Sequence, residues 1–525
     1  MSPSVYRKVG LAALIMMISI FLSRMLGVLR ESVLAALCGA GTAVDAYKTA
    51  FIVPEILNHI TASGFFSITF IPIFARYLAE NDERGGWRIF SIILTVFGAL
   101  LSALVLAAAW MAPQLMALLA PGRTDPLFQS MAVRMTRILL PAQLCFFAGG
   151  IFMAVQFARE RFLLPALAPL IYNLGIIAGG AALAARIGVE GFAWGALGGA
   201  IIGHLCVQLL GVRKLGLRFR PAFDWRHPDL RRYILLTLPL MFGLTMTFST
   251  EIFSKFFGSF LPAGAITHID FAWRIILMLV GFFGQAVGVA AYPFLARLAS
   301  EQRWDEMNRL FNNTLRYLAL VIPVSFLVFV LRHEIVRVLF ERWEFSAGDT
   351  RSTSLALAGM VLGAVAFSAQ TVVNRGFFAM QNTLLPAVYG SIAVVLSLPL
   401  YWVGLKTLGV LGIGLAISAS ALGQVLVLYA VWNRRSKNVG SRGVYRFYGK
   451  SVLVALPVTG VLIVTQKVLL QWISNVSFSG SVALIVLQSA IFVVLMAVAV
   501  RISRIEEARL LWQKLTARMP GLRRG

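Results

Sequence analysis

Residues 9–37 read VGLAALIMMISIFLSRMLGVLRESVLAAL, an apolar run that nonetheless contains Arg24, Arg30 and Glu31. About 20 consecutive apolar residues cross a hydrocarbon core, and a charged side chain there costs roughly 3 kcal/mol on insertion scales. Such a charge therefore faces a partner, a watery cavity or a bound ion. The run reads as a membrane helix with a polar interior to serve. Its basic start and the apolar stretch from Val9 to Leu22 superficially resemble a signal peptide. No small-residue cleavage site follows, and Ser23 and Arg24 continue directly, so the reading is a retained first helix.

The rest of the chain has the same character. Of 525 residues, 59% are hydrophobic and 13% charged, with a mean hydropathy of +0.82, which excludes an ordinary soluble protein. Apolar runs recur to Arg501 and predict an all-α polytopic membrane protein of about fourteen helices. The predicted spans are 9–37, 45–78, 88–119, 131–158, 162–186, 190–212, 230–261, 265–297, 307–331, 350–379, 385–405, 409–432, 448–472 and 480–500.

A net charge of +25 raises the question of nucleic acid, but the distribution answers it. Basic residues gather in alternate loops, such as Arg84 to Arg88, Arg213 to Arg232 and Arg434 to Lys450. The loops around Gly39, Gly122, Gly188, Pro262, Gly409 and Ser477 carry few. This positive-inside pattern places both termini in the cytoplasm; the segment from Arg332 to Arg351, with mixed charges, is the exception. Cys38, Cys145 and Cys206 share no metal-ligand spacing, and neither a metal nor a cofactor is expected.

The clearest break is the basic segment holding Pro221, Asp224 and Pro228. It suggests an N-lobe at 1–215, a linker at 216–229, a C-lobe at 230–433, two further helices at 434–502 and an amphipathic tail at 503–525. Each lobe would hold six helices. Its first two carry most of the mid-span charge: Arg24, Arg30, Glu31, Asp45, Lys48 and Glu55 in one, Glu251, Lys255, Asp270 and Arg274 in the other. Repeats related about the membrane normal place a substrate site at their interface.

At 100° per residue, Asp45, Lys48, Glu55, Asn58, His59 and Ser63 fall within a sector of roughly 140° on the second span, with Pro54 breaking its ladder. Two bland alternatives stand beside the cavity reading. Glu251 with Lys255, and Asp270 with Arg274, have the i,i+4 spacing of structural ion pairs; Arg24 and Glu31 also share a helix face. His59 is either a proton relay or simply hydrogen bonded. No catalytic constellation, zinc motif or phosphate loop is present in the sequence, which argues against an enzyme.

Ser23-Arg24-Met25-Leu26-Gly27, Arg30-Glu31, Gly39-Ala40-Gly41, Asp45-Ala46-Tyr47, Phe70-Ile71-Pro72-Ile73-Phe74, Ala120-Pro121-Gly122 and Arg375-Gly376-Phe377-Phe378 resemble, in order and spacing, the MurJ (MviN) family. Its members are lipid II flippases of the multidrug, oligosaccharidyl-lipid and polysaccharide exporter superfamily. The resemblance implies two lobes around a cationic cavity, with a groove between the last two helices for the undecaprenyl tail. It also implies a place in the bacterial inner membrane, in peptidoglycan synthesis, among its membrane lipids and synthesis machinery. On it, Arg24, Arg30 and Arg274 hold a diphosphate, with Lys48 and Lys255 as further cations. Asp45, Glu31, Glu55, Asn58, His59, Glu251 and Asp270 become polar or gating positions. Fixed arginines suit that cargo, since a guanidinium bonds phosphate bidentately. Departures are also plain: Asn58 and His59 stand where the family usually has two arginines, and Met380, Asn382 and Leu384 replace other charged residues. They keep open an exporter of a different polyprenyl-diphosphate oligosaccharide and, more remotely, an enzyme acting on such lipids.

Overall fold

The computed structural model describes residues 3–60, 63–244, 249–474 and 477–503. Those residues form helices and connecting turns and no strand. Nine of the helices are long and apolar enough to cross a membrane, ten if the pair Ala347–Val361 and Ala364–Ala379, bent by 47°, is one span. The chain is thus an all-α multi-pass membrane protein. The predicted span 45–78 is interrupted at Phe51, between Thr42–Ala50 and Ile52–Ile60; its later described residues form Ser63–Ala79, and those of 230–261 form Pro228–Leu244 and Ser249–Gly258. Conversely, 385–405 and 409–432 run as Leu384–Arg435, interrupted at Gly409 with φ 58°. Residues 504–525, where the amphipathic tail is expected, and the side chain of Ser63 lie outside the described residues.

Proline explains the break in the second span. Pro54 has no N–H to offer Ala50, four residues earlier, so that carbonyl loses its helical donor. The Thr136 hydroxyl donates to Ala132 O at 2.7 Å and also lies 3.4 Å from the Ala50 oxygen, so its one proton is shared between the two carbonyls. A freed carbonyl in a membrane protein needs such a neighbour, because lipid cannot solvate it.

Two compact units emerge. The first comprises Met1–Phe271, Phe340–Ser352 and Thr383–Ile413; the second comprises Ala272–Leu339, Thr353–Asn382 and Gly414–Gly525. The expected linker at 216–229 lies inside the first. Within that unit, Leu163–Ile187 packs tightly on the helix opening at Glu190, because glycines face each other. A β-carbon on Gly179 would stand 2.4 Å from Gly195 Cα, closer than any atom tolerates. In the second unit, Asn312 and Asn438 exchange amide bonds of 2.7 and 2.9 Å, Tyr429 donates to Asn312 at 2.8 Å, and Trp432 donates to Asn308 at 3.0 Å. These bonds tie the Trp304–Leu318 helix to the last turns of the helix ending at Arg435 and to the turn after it.

Replacing Gly179 with leucine inserts atoms where backbone already lies. The expected loss is at least the 1–3 kcal/mol typical of overpacking. Thermal unfolding in detergent checks this, and an unchanged midpoint would contradict the packing described.

Candidate functional site

The first helix stops at Cys38 because Gly39 adopts φ 65°, a left-handed cap that glycine accepts without strain. Its N–H bonds Ala35 O at 2.8 Å, and Glu344 N–H reaches the next orphan carbonyl, Ala36 O, at 3.2 Å. A tight turn then returns the chain as Thr42–Ala50. Asp45 and Lys48, three residues apart on that helix, share a face, and each anchors a separate group of charges.

Lys48 is 4% exposed and lies between two carboxylates, 2.5 Å from Glu31 Oε2 and 2.7 Å from Asp270 Oδ2. Its ammonium also sits 5.0 Å from the centre of the Phe271 ring. Glu31, 3% exposed, receives a second charge-assisted bond from Arg30 Nη2 at 2.6 Å. Arg30 in turn donates from Nη1 to Asn173 Oδ1 at 3.2 Å.

Asp45 has no exposure at all and accepts four bonds. Arg123 Nη2 and Gly264 N–H meet Oδ2, each at 2.8 Å; Thr267 meets Oδ1 through its N–H at 2.8 Å and its hydroxyl at 2.6 Å. Arg123 Nη2 also donates to Pro262 O at 2.7 Å. Asp45 therefore ties the start of the second span to the turn and first residues of Ala265–Leu279. Arg30, Lys48 and Arg123 match Glu31, Asp45 and Asp270 in number, so these six buried or half-buried side chains sum to zero charge. Matching of this kind is what makes burial of the set tolerable.

A second contact joins the far end of the second span to the seventh. Asp229 accepts from Arg76 Nη2 at 2.7 and 2.8 Å and from the Tyr77 hydroxyl at 2.6 Å, and Thr69 and Thr237 hydroxyls lie 3.2 Å apart between the same helices.

The remaining predicted residues are placed as follows. Arg24 is exposed on the first helix and makes no ion pair or hydrogen bond among the described residues, so it is not joined to Glu31. Lys255 is buried on Ser249–Gly258 and forms no ion pair among the described residues. Glu251, on the same helix, and Glu55 and Asn58, on Ile52–Ile60, are half-buried. His59 bonds through Nδ1 to Glu55 O of its own helix. Arg274 is half-buried and belongs to the second unit. Sequence reasoning did not single out Arg123, Gly264, Thr267 or Asn173. For Arg123 a signal existed: it is a lone cation in a loop otherwise poor in basic residues.

The family model of the lipid II flippase MurJ matches residues 34–483. The chain belongs to this family. It is 29% identical over 432 residues to the probable lipid II flippase MurJ of Rhizobium meliloti, covering 78% of both proteins. With that of Synechocystis sp. it shares 26% over 534 residues, 98% of this chain and 99% of the relative. A solved lipid II flippase MurJ in an inward closed conformation has the same fold, with a TM-score of 0.76 at 20% identity over 93% of this chain and 99% of that one.

The Lys48 cluster makes a direct prediction. Lys48→Ala removes the cation that lies between two buried carboxylates and is expected to destabilise the protein by about 3–5 kcal/mol. The quadruple change Arg30→Gln, Glu31→Gln, Lys48→Met, Asp270→Asn removes two charges of each sign and should recover much of that loss. Equal melting points for the single and quadruple variants would show that charge balance is not what holds these helices.

Proposed function

We propose that this protein moves lipid II, an undecaprenyl-diphosphate-linked disaccharide pentapeptide, from the inner to the outer leaflet of the bacterial cytoplasmic membrane. It does so as a secondary-type transporter by alternating access, with both termini in the cytoplasm. Membership of the family supports this, and the observation that carries it is the state of Arg24. Six neighbouring charges on the first, second and eighth spans and the loop at Arg123 are committed to one another, whereas Arg24 has no partner among the described residues. An uncommitted guanidinium within a membrane helix is suited to receive a diphosphate, which it can bond through two parallel N–H groups.

Alternating access requires contacts that break in turn. The Asp45 bonds to Gly264 and Thr267 tie the second span to the eighth near the outer loops; the Asp229 bonds to Arg76 and Tyr77 tie it to the seventh near the cytoplasmic loops. On this reading the first set opens to release cargo outward and the second opens to admit it. The break at Phe51, between the two sets, lets one end of the span move without the other. No step makes or breaks a covalent bond, so no catalytic residue is assigned.

A second reading retains the mechanism and changes the cargo to another polyprenyl-diphosphate oligosaccharide. One observation favours it: His59, where the family usually carries an arginine, turns its Nδ1 back to the Glu55 carbonyl.

Complementation separates these readings. In a bacterium depleted of its own flippase, the wild-type chain should restore lipid II exposure on the outer leaflet. Arg24→Ala should reduce it at least tenfold at equal expression, and Arg24→Lys should retain part. Rescue by Arg24→Ala at the wild-type level would remove the diphosphate role. Failure of the well-expressed wild-type chain would remove lipid II as the cargo.

A further inference from the structure

The first unit also carries a groove of about 540 Å³, lined by Val133, Arg134, Arg137, Ile138, Trp194 and Leu197 among others. We infer that it binds the phosphate headgroup of an anionic phospholipid in the leaflet facing away from the cytoplasm, with an acyl chain along its apolar wall. This site is separate from the charge clusters above.

Its depth in the membrane follows from the helix ends around it. Arg137 Nε–H donates to Ala109 O at 3.0 Å, in the last turn of Glu83–Trp110, and Arg134 pairs with Glu190, the first residue of its helix. Trp110 and Trp194, 77% and 46% exposed, stand at these same ends, the position that tryptophan favours at a membrane–water interface. The nearby loops around Gly122 and Gly188 are poor in basic residues, so the positive-inside rule makes this the outer face. Two arginines here run against that rule and call for a local reason.

The chemistry supplies one. Glu190 is 8% exposed and neutralises Arg134, which leaves the charge of Arg137 unbalanced. Arg137 spends its Nε on a backbone carbonyl and has no other partner among the described residues, so both Nη groups remain for an acceptor. That pair is the fork which meets phosphate oxygens in plane. Val133, Ile138, Leu197 and the Trp194 ring add a surface that free phosphate has no use for but a lipid chain covers. A partner's apolar helix, for its part, has no use for the cation.

The test titrates full-length protein in detergent with phosphatidylglycerol or phosphatidylcholine and counts bound lipid by native mass spectrometry. Wild-type protein should hold one phosphatidylglycerol more tightly than phosphatidylcholine. Arg137→Ala should weaken that site about fivefold, the effect of one cation on an anionic lipid, and Arg137→Gln should match it, whereas Arg137→Lys should weaken it less. Trp194→Ala should weaken both lipids. Unchanged phosphatidylglycerol binding in both Arg137→Ala and Arg137→Gln would overturn the proposal. Displacement of the lipid by millimolar inorganic phosphate would overturn it too, by showing a site for a free anion.

Discussion

Lys48 is a cation almost wholly buried in protein, and the surrounding helices are placed as its solvation requires. An ammonium buried without compensation costs several kcal/mol, so two carboxylates from two other helices converge on it. That requirement fixes the first helix through Glu31 and the eighth span through Asp270 against the same point of the second. Asp45 extends the logic by one turn, drawing a loop arginine and three donors of the Gly264–Thr267 segment toward the same helix. Apolar packing alone has little power to fix such a register inside a membrane, because lipid tails solvate leucine as well as another helix does.

Much of this was legible in the sequence. Length, hydropathy and alternating loop charge are sufficient for a multi-pass helical protein, because lipid leaves the backbone few alternatives. The short motifs from Ser23 to Phe74 carry the family. Of the charges in membrane runs, Arg30, Glu31, Lys48 and Asp270 form one chain of contacts, while Asp45 binds Arg123 and the Gly264–Thr267 segment. What the sequence hid were the pairings. Shared helix faces offered Arg24 for Glu31, yet the contacts at Lys48 run between helices. Periodicity reports which residues share a face and is silent on which helix that face meets. For the same reason Gly264 and Thr267 were invisible: two of their donors are backbone N–H groups, which any residue but proline owns.

The breaks are equally instructive. Pro54 was expected to bend the second span, and the helix does end nearby, at Ala50. The threonine that receives the freed carbonyl comes from residue 136, which no local reading reaches. Helix interruptions in membranes are cooperative features, needing one residue to create a vacancy and another to fill it.

The spacing of the charge partners along the chain also sets an order of assembly. Glu31 and Lys48 are 17 residues apart, Asp45 and Arg123 are 78 apart, and Asp45 and the Thr267 N–H are 222 apart. At the 5–20 residues per second of translation, Arg123 follows Asp45 by roughly 4–16 s and Thr267 follows by roughly 11–44 s. Each early charge thus acquires a counter-ion before its last donors are synthesised. Glu31 and Lys48 are thus both synthesised, and able to neutralise one another, well before the eighth span brings Asp270 and the Thr267 donors.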